Sequence, residues 1–337
     1  MQIKKSVLQN ALEVTRSALA NREIIEQSTS FVFTKGYIIT YNDEISIRYP
    51  INLEIEGVIR SDKLYNLLSK IKKEDIDISY SSKNEVEISS GRMKAGITIQ
   101  PEIKIPLDIL EVDGWKELPK NFVESIKFAI PFCGKDMSRP LLTAIHVNKN
   151  GFVEASDSYC IVRYTLEKEM PVNTFLIPAT AATEIVKINP TTIAFKEKGW
   201  IYFRSEDGIV IASRIFDEDK YFDVSSFLEV EGQQIIFPSN TLEVIERASV
   251  FAKRDFVLDE KIEMKFENKR LKIKSTSAEG WFEEELNIRY SSESQSIVIP
   301  PYLLRDILSK TTKSIISKDR IKFEGENWIY IATLLKK

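Results

Sequence analysis

Residues 299–311 read IPPYLLRDILSKT, and two earlier stretches of the chain follow the same plan. Residues 59–71 read IRSDKLYNLLSKI and residues 177–188 read IPATAATEIVKI, so their first isoleucines lie 118 and 122 residues apart. In register, the coinciding apolar positions are Leu64, Ala182 and Leu304, then Leu67, Ile185 and Ile307, then Leu68, Val186 and Leu308. This spacing gives each stretch one apolar stripe of helical period. The sequence therefore predicts three similar amphipathic helices.

A hairpin pattern follows each of these helices. Residues 195–202 read FKEKGWIY and residues 323–330 read FEGENWIY, so Phe, four turn-rich residues and Trp-Ile-Tyr occur twice, 128 residues apart. Residues 76–89, IDISYSSKNEVEIS, are a fainter third member. Alternating apolar and polar residues are typical of half-buried antiparallel strands. We expect the same hairpin to recur in each copy.

A second helix opens each copy, and a further strand pair lies between the two helices. The apolar stripes of these opening helices are Leu8, Ala11, Leu12, Thr15 and Leu19; Phe122, Ile126, Ala129, Ile130 and Cys133; and Leu242, Ile245, Ala248, Ser249 and Ala252. The strand pairs turn at 35–36, 150–151 and 268–269. The repeat predicts an α+β protein with three tandem similar domains, each with two helices packed on antiparallel sheets. Their expected bounds are 1–117, 118–228 and 229–337.

The composition excludes several classes of protein. The chain has 337 residues, of which 43% are hydrophobic and 29% charged, and no apolar run has the length of a membrane span. We therefore expect a cytoplasmic protein. Cys133, Cys160 and the single histidine, His146, are too few for a disulfide framework or a Cys/His metal site. The sequence contains no dinucleotide-binding, phosphate-loop or zinc-protease motif, so we predict a binding protein without enzyme activity, cofactor or metal.

Charge is unevenly distributed along the chain. The net charge is −3, but the helical windows 4–22, 60–73, 120–135, 177–188, 239–254 and 299–313 together carry +12 and leave −15 elsewhere. One interpretation is that lysines simply occupy the solvated faces of the helices. The other is that the helices alone face a polyanion, while acidic strands and loops repel it from every other surface.

These features resemble the bacterial sliding clamp, the β subunit of DNA polymerase III and its processivity factor. Residues 138–162 (SRPLLTAIHVNKNGFVEASDSYCIV) are similar to an Arg-containing strand of the family and its Ala-Thr-Asp-Gly-His-Arg-Leu stretch. Similar stretches are 213–228, 280–308 and the C-terminal YIATLLKK. The family's Gly-His-Arg-Leu is Ser158-Tyr159-Cys160-Ile161 here, and its Met-Pro-Met-Arg-Leu ending is residues 333–337. We interpret the chain as a divergent member of bacterial or phage type.

The resemblance implies a function in DNA replication. Two chains would close head to tail into a homodimeric ring, whose helices line a hole around double-stranded DNA without reading its sequence. The ring would tether a DNA polymerase and bind a clamp loader through short peptide motifs, and would contact no membrane. It would raise the effective concentration of the polymerase at the template.

The resemblance also implies site residues. It places Arg22 and Lys94 on DNA, and helix charge adds Lys63, Lys70, Arg247 and Lys310. It places Ile97 and Ile99 against Val250 and Phe251 of a neighbouring subunit, although all four could instead belong to their own domain cores. The pocket for partner peptides would be formed by Leu142, Ser156, Ser158, Tyr159, Ile161, Phe222, Ser226, Phe227, Ile331, Thr333, Leu334 and Leu335. For Leu142 and Ile331, plain core packing is the alternative.

Two other functions are compatible with the sequence. A tandem-repeat structural protein of phage type would use its sheets to self-associate and would not bind DNA. A nucleic-acid enzyme would need a carboxylate site, for which WFEEEL (281–286) and FDEDKYFD (216–223) are the acidic clusters to consider. Strand alternation sends Glu283 and Glu285 to one sheet face, where a metal pair or plain solvated residues are both conceivable.

Overall fold

The computed structural model describes residues 1–82, 84–196, 199–217 and 221–336. These residues form an α+β fold, as predicted, with antiparallel sheets. The helices are α1 (Lys5–Arg16), α2 (Ser61–Lys70), α3 (Phe122–Ala129), α4 (Ala179–Ile188), α5 (Thr241–Ala252) and α6 (Tyr302–Leu308). A 3₁₀ turn, Ile130–Phe132, follows α3, where Pro131 lacks the N–H that an α-helix would require. Among the described residues, no helix has the length and apolar character needed to cross a membrane.

The strands alternate with these helices along the chain. The first nine are β1 (Gln2–Lys4), β2 (Ser30–Thr34), β3 (Tyr37–Tyr41), β4 (Ile45–Pro50), β5 (Gly57–Arg60), β6 (Asp75–Ser82), β7 (Glu85–Ser90), β8 (Met93–Thr98) and β9 (Lys116–Glu117). The next seven are β10 (Ala144–Asn148), β11 (Phe152–Ser156), β12 (Cys160–Thr165), β13 (Phe175–Pro178), β14 (Thr192–Lys196), β15 (Trp200–Arg204) and β16 (Val210–Arg214). The last eight are β17 (Gln233–Ile236), β18 (Ile262–Glu267), β19 (Arg270–Thr276), β20 (Trp281–Asn287), β21 (Gln295–Ile299), β22 (Lys313–Ile316), β23 (Arg320–Glu324) and β24 (Trp328–Thr333).

The chain divides into two compact units. Unit 1 comprises the described residues of Met1–Val123 and Met170–Phe216, and unit 2 those of Glu124–Glu169 and Asp217–Lys337. The predicted middle domain, 118–228, contributes to both, because each unit contains a sheet that joins strands from two predicted domains. The three-domain division stays a prediction.

Unit 1 contains two sheets. One has the strand order β1-β6-β7-β8, and the other the order β5-β2-β3-β4-β16-β15-β14-β9. In the second sheet the antiparallel pair β4–β16 joins the first predicted domain to the middle one, with Ile47 opposite Ile211. Leu12 of α1 and Leu64 of α2 pack in one buried cluster with Ile88 of β7. The helices thus cover one face of the sheets.

Unit 2 repeats this arrangement. Seven strands of unit 2 lie in one sheet in the order β10-β11-β12-β24-β23-β22-β17, and four lie in another in the order β20-β19-β18-β21. Here the antiparallel pair β12–β24 joins the middle domain to the third, with Ile161 opposite Ile331. Phe323 and Tyr330 contact each other in the core, and Tyr330 also contacts Phe132 at the end of α3.

The two Trp-Ile-Tyr stretches form hairpins, but the expectation that these are equivalent hairpins is wrong. The first is β14–β15 and the second is β23–β24. By position in the sheets, β14–β15 corresponds to β22–β23, and β24 corresponds to β16. The separation of 128 residues, longer than the 118 and 122 between the helices, was the signal of this shift by one strand.

The registers of the two hairpins also differ. Phe195 pairs with Ile201, whereas Phe323 pairs with Tyr330. Side chains of a strand alternate between the two faces of the sheet. A difference of one residue in register therefore places the Trp-Ile-Tyr side chains on the opposite faces. Tyr202 accordingly packs in a cluster on the sheet face away from the helices, whereas Tyr330 packs against Phe132 beside α3. An alternating pattern therefore predicts a hairpin but does not predict its position in the sheet.

Candidate partner-peptide pocket and DNA interface

A buried polar network in unit 2 anchors the segment 221–228, here called the second connector. Glu154 is shared between His146, whose Nδ1 lies 2.8 Å from one carboxylate oxygen, and Arg163, whose Nε donates to the other at 2.5 Å. Arg163 also donates to the hydroxyl of Ser225 on the connector at 2.9 Å. The His146 ring stacks on Tyr221 with centroids 4.2 Å apart. The only histidine therefore has a structural environment, since it positions the connector over the sheet.

The second connector leaves two aromatic side chains at the surface. Phe222 stacks on Tyr221 with centroids 4.9 Å apart and is 38% exposed. Phe227 is 41% exposed, and the Arg320 guanidinium lies 5.6 Å from its ring centroid. Buried aromatic rings are the usual outcome in a core, so half-exposed rings at a strand junction mark a surface that can bind an apolar ligand.

The C-terminal segment lies along the same strands. The Thr333 amide donates to the carbonyl of Tyr159, and the Leu334 amide donates to that of Asp319, at 2.9 and 2.8 Å. The Leu335 amide donates to the carbonyl of Val298 at 2.8 Å. Leu334 is buried and Leu335 partly buried. Leu334 therefore contributes to the packing beneath the surface, and Thr333 and Leu335 contribute to the surface itself.

The turn between β11 and β12 carries the residues that replace the family's Gly-His-Arg. Asp157 accepts hydrogen bonds from the Tyr159 and Cys160 amides, both at 2.8 Å, and from the Tyr302 hydroxyl at 3.1 Å. These bonds hold Ser158 at a φ of +81°, a region that favours glycine. Arg139 donates to the Ser158 hydroxyl at 3.2 Å. The turn is thus fixed from both sides.

Buried groups around this turn are held in their neutral forms. Burial raises the pKa of the Cys133 thiol to about 12, and burial beside Asp157 raises the pKa of the Cys160 thiol well above its ordinary value. Burial and the Asp157 carboxylate likewise raise the pKa of Tyr302. Protonated buried thiols are poor nucleophiles, so neither cysteine supplies a reactive thiolate at this turn.

A cavity of about 670 Å³ opens beside the turn. Of the predicted pocket residues, it is lined by Leu142, Ser158 and Tyr159. Its other lining residues, which the sequence did not assign to a site, are Pro131, Cys133, Gly134, Lys135, Asp136, Arg139, Asp157, Val257, Tyr302, Arg305 and Asp306. Arg139 and Tyr302 stand within the stretches that resemble the family, and that resemblance was the available signal for them.

The remaining pocket residues lie on the neighbouring surface of unit 2. Ile161 and Ile331 face each other across the β12–β24 pair, and Ser156 is buried, with its hydroxyl donating to the carbonyl of Cys160. Ser226 is exposed on the second connector. The predicted pocket residues therefore all belong to unit 2, around the β12–β24 junction and the turn that leads into it.

The predicted DNA-binding residues of unit 1 occupy two different faces. Arg22 is exposed in the loop after α1, and Lys63 and Lys70 are exposed on α2. Arg16, which the sequence did not single out, lies 4.6 Å from the ring centroid of Tyr65 on α2. Lys94 differs, because it lies on β8 facing away from the helices and forms an ion pair with Glu87 at 3.1 Å. The structure does not bring Lys94 together with the helix cations.

In unit 2 the two predicted cations have partners. Arg247 on α5 makes two hydrogen bonds, of 3.0 and 2.8 Å, to the carboxylate of Glu284 on β20. Lys310, just beyond α6, lies 5.2 Å from the ring centroid of Phe128. Arg247 therefore already has a carboxylate partner within its own unit.

The four predicted interface residues differ in their exposure to solvent. Ile97 and Ile99 are buried members of the unit 1 core, as the alternative interpretation expected. Val250, at the end of α5, is 70% exposed. Phe251 stacks on Phe282 of β20 with centroids 6.5 Å apart, and the adjacent Trp281 is 70% exposed. Exposed apolar side chains therefore lie on both faces beside β20, which is an edge strand of its sheet.

The acidic clusters do not form a metal site in the described residues. Glu283 and Glu285 both accept from Lys272, at 2.8 and 3.0 Å, and these and neighbouring hydrogen bonds lower the pKa of both carboxyls. In the other cluster, Glu218 and Asp219 lie outside the described residues.

Solved structures match the chain over its whole length. No protein-family model and no curated protein matches it. The DNA polymerase III β subunit of Pseudomonas aeruginosa superposes with a TM-score of 0.85 at 16% identity, covering 100% of both chains. The β chain of Streptococcus pneumoniae gives 0.83 at 20% identity, and the sliding clamp of Bacillus subtilis 0.83 at 17%; each match covers 100% of this chain and 99% and 98% of the other. The chain therefore has the sliding-clamp fold.

Proposed function

We propose that this protein is a DNA sliding clamp, a homodimeric ring that encircles double-stranded DNA and tethers a replicative polymerase. The likeness to solved clamps over the full length of both chains carries the proposal. Such a ring acts in the cytoplasm without catalysing a reaction. Its effect on synthesis arises because a tethered polymerase rebinds the template faster than it diffuses away.

Closure of the ring is supported by strands at the sheet edges. Within the chain, β4 pairs with β16 and β12 pairs with β24, each time joining two predicted domains. The corresponding strands left at sheet edges are β20 and β8. Exposed edges of this kind are normally covered, and two copies arranged head to tail would cover both. Val250 and Phe251 border this joint from α5, and Ile97 and Ile99 support it from the core beneath β8.

Contact with DNA is supported by the exposed cations of the helices. Arg22, Lys63 and Lys70 in unit 1 present positive charge beside α1 and α2, and Lys310 does so beside α6. Contacts of this type go to phosphate oxygens and ignore base identity. We expect weak, sequence-independent binding that falls steeply with added salt.

Partner docking is supported by the half-exposed aromatics of the second connector and the adjoining cavity. Phe222, Phe227 and Ile161 offer apolar contacts, and the Lys135, Arg139 and Arg305 side chains stand at the cavity. We infer that polymerase and clamp-loader peptides insert apolar anchors here and carry acidic flanking residues. A mixture of apolar surface and a few charged groups is typical of peptide and ligand sites.

The proposal is tested by solution mass and by primer extension on a long template. We expect a mass of about twice 38.8 kDa and longer products from the cognate polymerase when a loader is present. Val250→Arg should dissociate the dimer, because a buried unpaired charge costs several kcal/mol. Ile236→Arg, at a similarly exposed aliphatic residue on β17, is the control and should stay dimeric. A self-associating protein with no effect on extension would instead favour the structural-protein alternative.

A further inference from the structure

The register of the ring joint can be derived from the β12–β24 junction inside the chain. This inference depends on the proposed ring. The internal repeat supplies an observed example of the same kind of strand pair.

Strand β20 is the counterpart of β12. Adding 120 to each residue number carries the pair Ser156–Ile161 onto the observed pair Thr276–Trp281. The offset also matches the sheet faces of the two strands. Phe282 packs against Phe251 of α5, and its counterpart Val162 is likewise buried beneath its sheet. The two hairpins therefore have equal turns and equal registers.

Strand β8 is likewise the counterpart of β24. Adding 235 carries the pair Val86–Ile97 onto the observed pair Ile321–Ala332. It also carries Ser90 and Met93, which flank the β7–β8 turn, onto Gly325 and Trp328, which are hydrogen-bonded across the β23–β24 turn. No insertion or deletion separates the two hairpins.

We infer that β20 of one copy pairs with β8 of the other with Trp281 opposite Gly96 and Glu283 opposite Lys94. These pairs follow directly from the observed pairs Ile161–Ile331 and Arg163–Ile329 under the two offsets. The inference assigns Lys94 to the joint between subunits and removes it from the DNA-binding residues.

The residues at these positions are chemically complementary. Trp281 is exposed on the sheet face away from α5, and Gly96 has no side chain to obstruct its ring. An aromatic residue packed across from a strand glycine stabilises the pair. The nearest atoms to the position that a Cβ of Gly96 would take are those of the Glu85 carboxyl group, at 2.7–3.0 Å, and that flexible end can move.

The second pair has opposite charges. Lys94 extends from the edge strand with 71% of its side chain exposed and forms an ion pair with Glu87 at 3.1 Å. Glu283 faces it in the inferred register and already accepts from Lys272. Opposite charges directly across two strands stabilise a register, and like charges destabilise it. The joint would thus recognise a second copy of this chain in one register.

Disulfide trapping tests the register. The variant Lys94→Cys with Glu283→Cys places the thiols directly opposite, and Lys94→Cys with Glu285→Cys is the matched control, two residues out of register. Both variants keep Trp281 and Gly96, and the native Cys133 and Cys160 are buried. Opposite Cβ atoms lie about 5 Å apart and diagonal ones about 7–8 Å, so we expect the first variant to form a covalent dimer roughly tenfold faster.

The outcomes separate this inference from the proposed function. Faster trapping of the control, in a protein whose mass shows a dimer, overturns the register while leaving the clamp intact. A protein that is monomeric at every concentration overturns both. Trp281→Ala should also raise the dimer dissociation constant by about tenfold or more, since a large aromatic contact is lost, whereas the exposed Phe256→Ala should not.

Discussion

The β4–β16 and β12–β24 junctions are built alike, but one is covered and the other is open. In unit 1, residues 101–115, here called the first connector, lie over the sheet face away from the helices. Leu110 is 1% exposed there and packs in one cluster with Trp200 and Tyr202. In unit 2, the second connector leaves Phe222 and Phe227 more than a third exposed.

The difference comes from how each connector is anchored. The first carries a run of aliphatic side chains, including Ile105 and Leu110, that fill the space over the strands. The second is held by the stack of Tyr221 on His146 and the hydrogen bond from Arg163 to Ser225, so its other aromatics need not be buried. The first connector therefore closes one junction, and the open junction is where we propose that a partner binds.

The largest expected effect of a substitution is at the covered junction. Leu110→Ala should lower the free energy of unfolding by about 2–4 kcal/mol, because it leaves a cavity in a buried cluster. Chemical denaturation checks this value. Leu107→Ala, on the same connector but only partly buried, is the control and should cost clearly less. Equal losses would show that the first connector does not seal the sheet as described.

At the open junction the same kind of truncation should affect binding instead. Phe222→Ala with Phe227→Ala should weaken binding of a polymerase-derived peptide by about tenfold or more. It should lower stability by less than the Leu110 variant, since both rings are already substantially exposed. Fluorescence anisotropy with a labelled peptide, together with the solution mass, separates the two effects. Unchanged affinity in a stable dimer would place the pocket elsewhere.

The turn at the rim of the open junction stores backbone strain. Ser158→Gly should raise the free energy of unfolding by about 0.5–1 kcal/mol, because glycine adopts a positive φ without steric cost. Ser156→Gly, in a strand with ordinary geometry, is the contrasting control and should destabilise the protein. A loss of stability in the Ser158 variant would contradict the account of this turn.

The smallest effect concerns pH at the covered junction. Hydrogen bonds from Tyr41 and then Arg214 lower the pKa of Asp43, which ties the β3–β4 turn to β16. The stabilisation is therefore present above the ordinary carboxyl range and is lost as pH falls through the lowered value. Asp43→Asn should cost about 0.5 kcal/mol at pH 7 and nothing at low pH, since the pair is half exposed. A difference independent of pH would argue against this ion pair.

The repeat could be predicted from the sequence because helix periodicity is a local property. The apolar stripes of α2, α4 and α6 each lie within a few consecutive turns of sequence. Aligning Ile59, Ile177 and Ile299 was therefore enough to detect the repeat. The two Trp-Ile-Tyr hairpins were wrongly predicted to be equivalent because strand pairing, unlike helix periodicity, is not a local property. Strand alternation does not specify which strands pair, and a one-residue difference in register reverses the faces.

The candidate sites were likewise predictable only where the signal is local in sequence. Phe222 and Phe227 could be proposed because apolar residues in a polar connector are unusual in sequence. The side of the sheet on which Lys94 lies, and the pairing of Arg247 with Glu284, depend on contacts between distant segments. Helix charge alone could not show that Arg247 is already paired with a carboxylate.

The central claim is that the protein is topologically linked to DNA, and its retention on circular and linear DNA tests that claim most directly. The labelled protein is loaded onto a nicked circular plasmid by its clamp loader and passed through a sizing column before and after one restriction cut. We predict that it co-elutes with the circle, at a salt concentration that abolishes direct binding, and is lost once the DNA is linear. Equal retention on both forms, or on neither, would contradict the account.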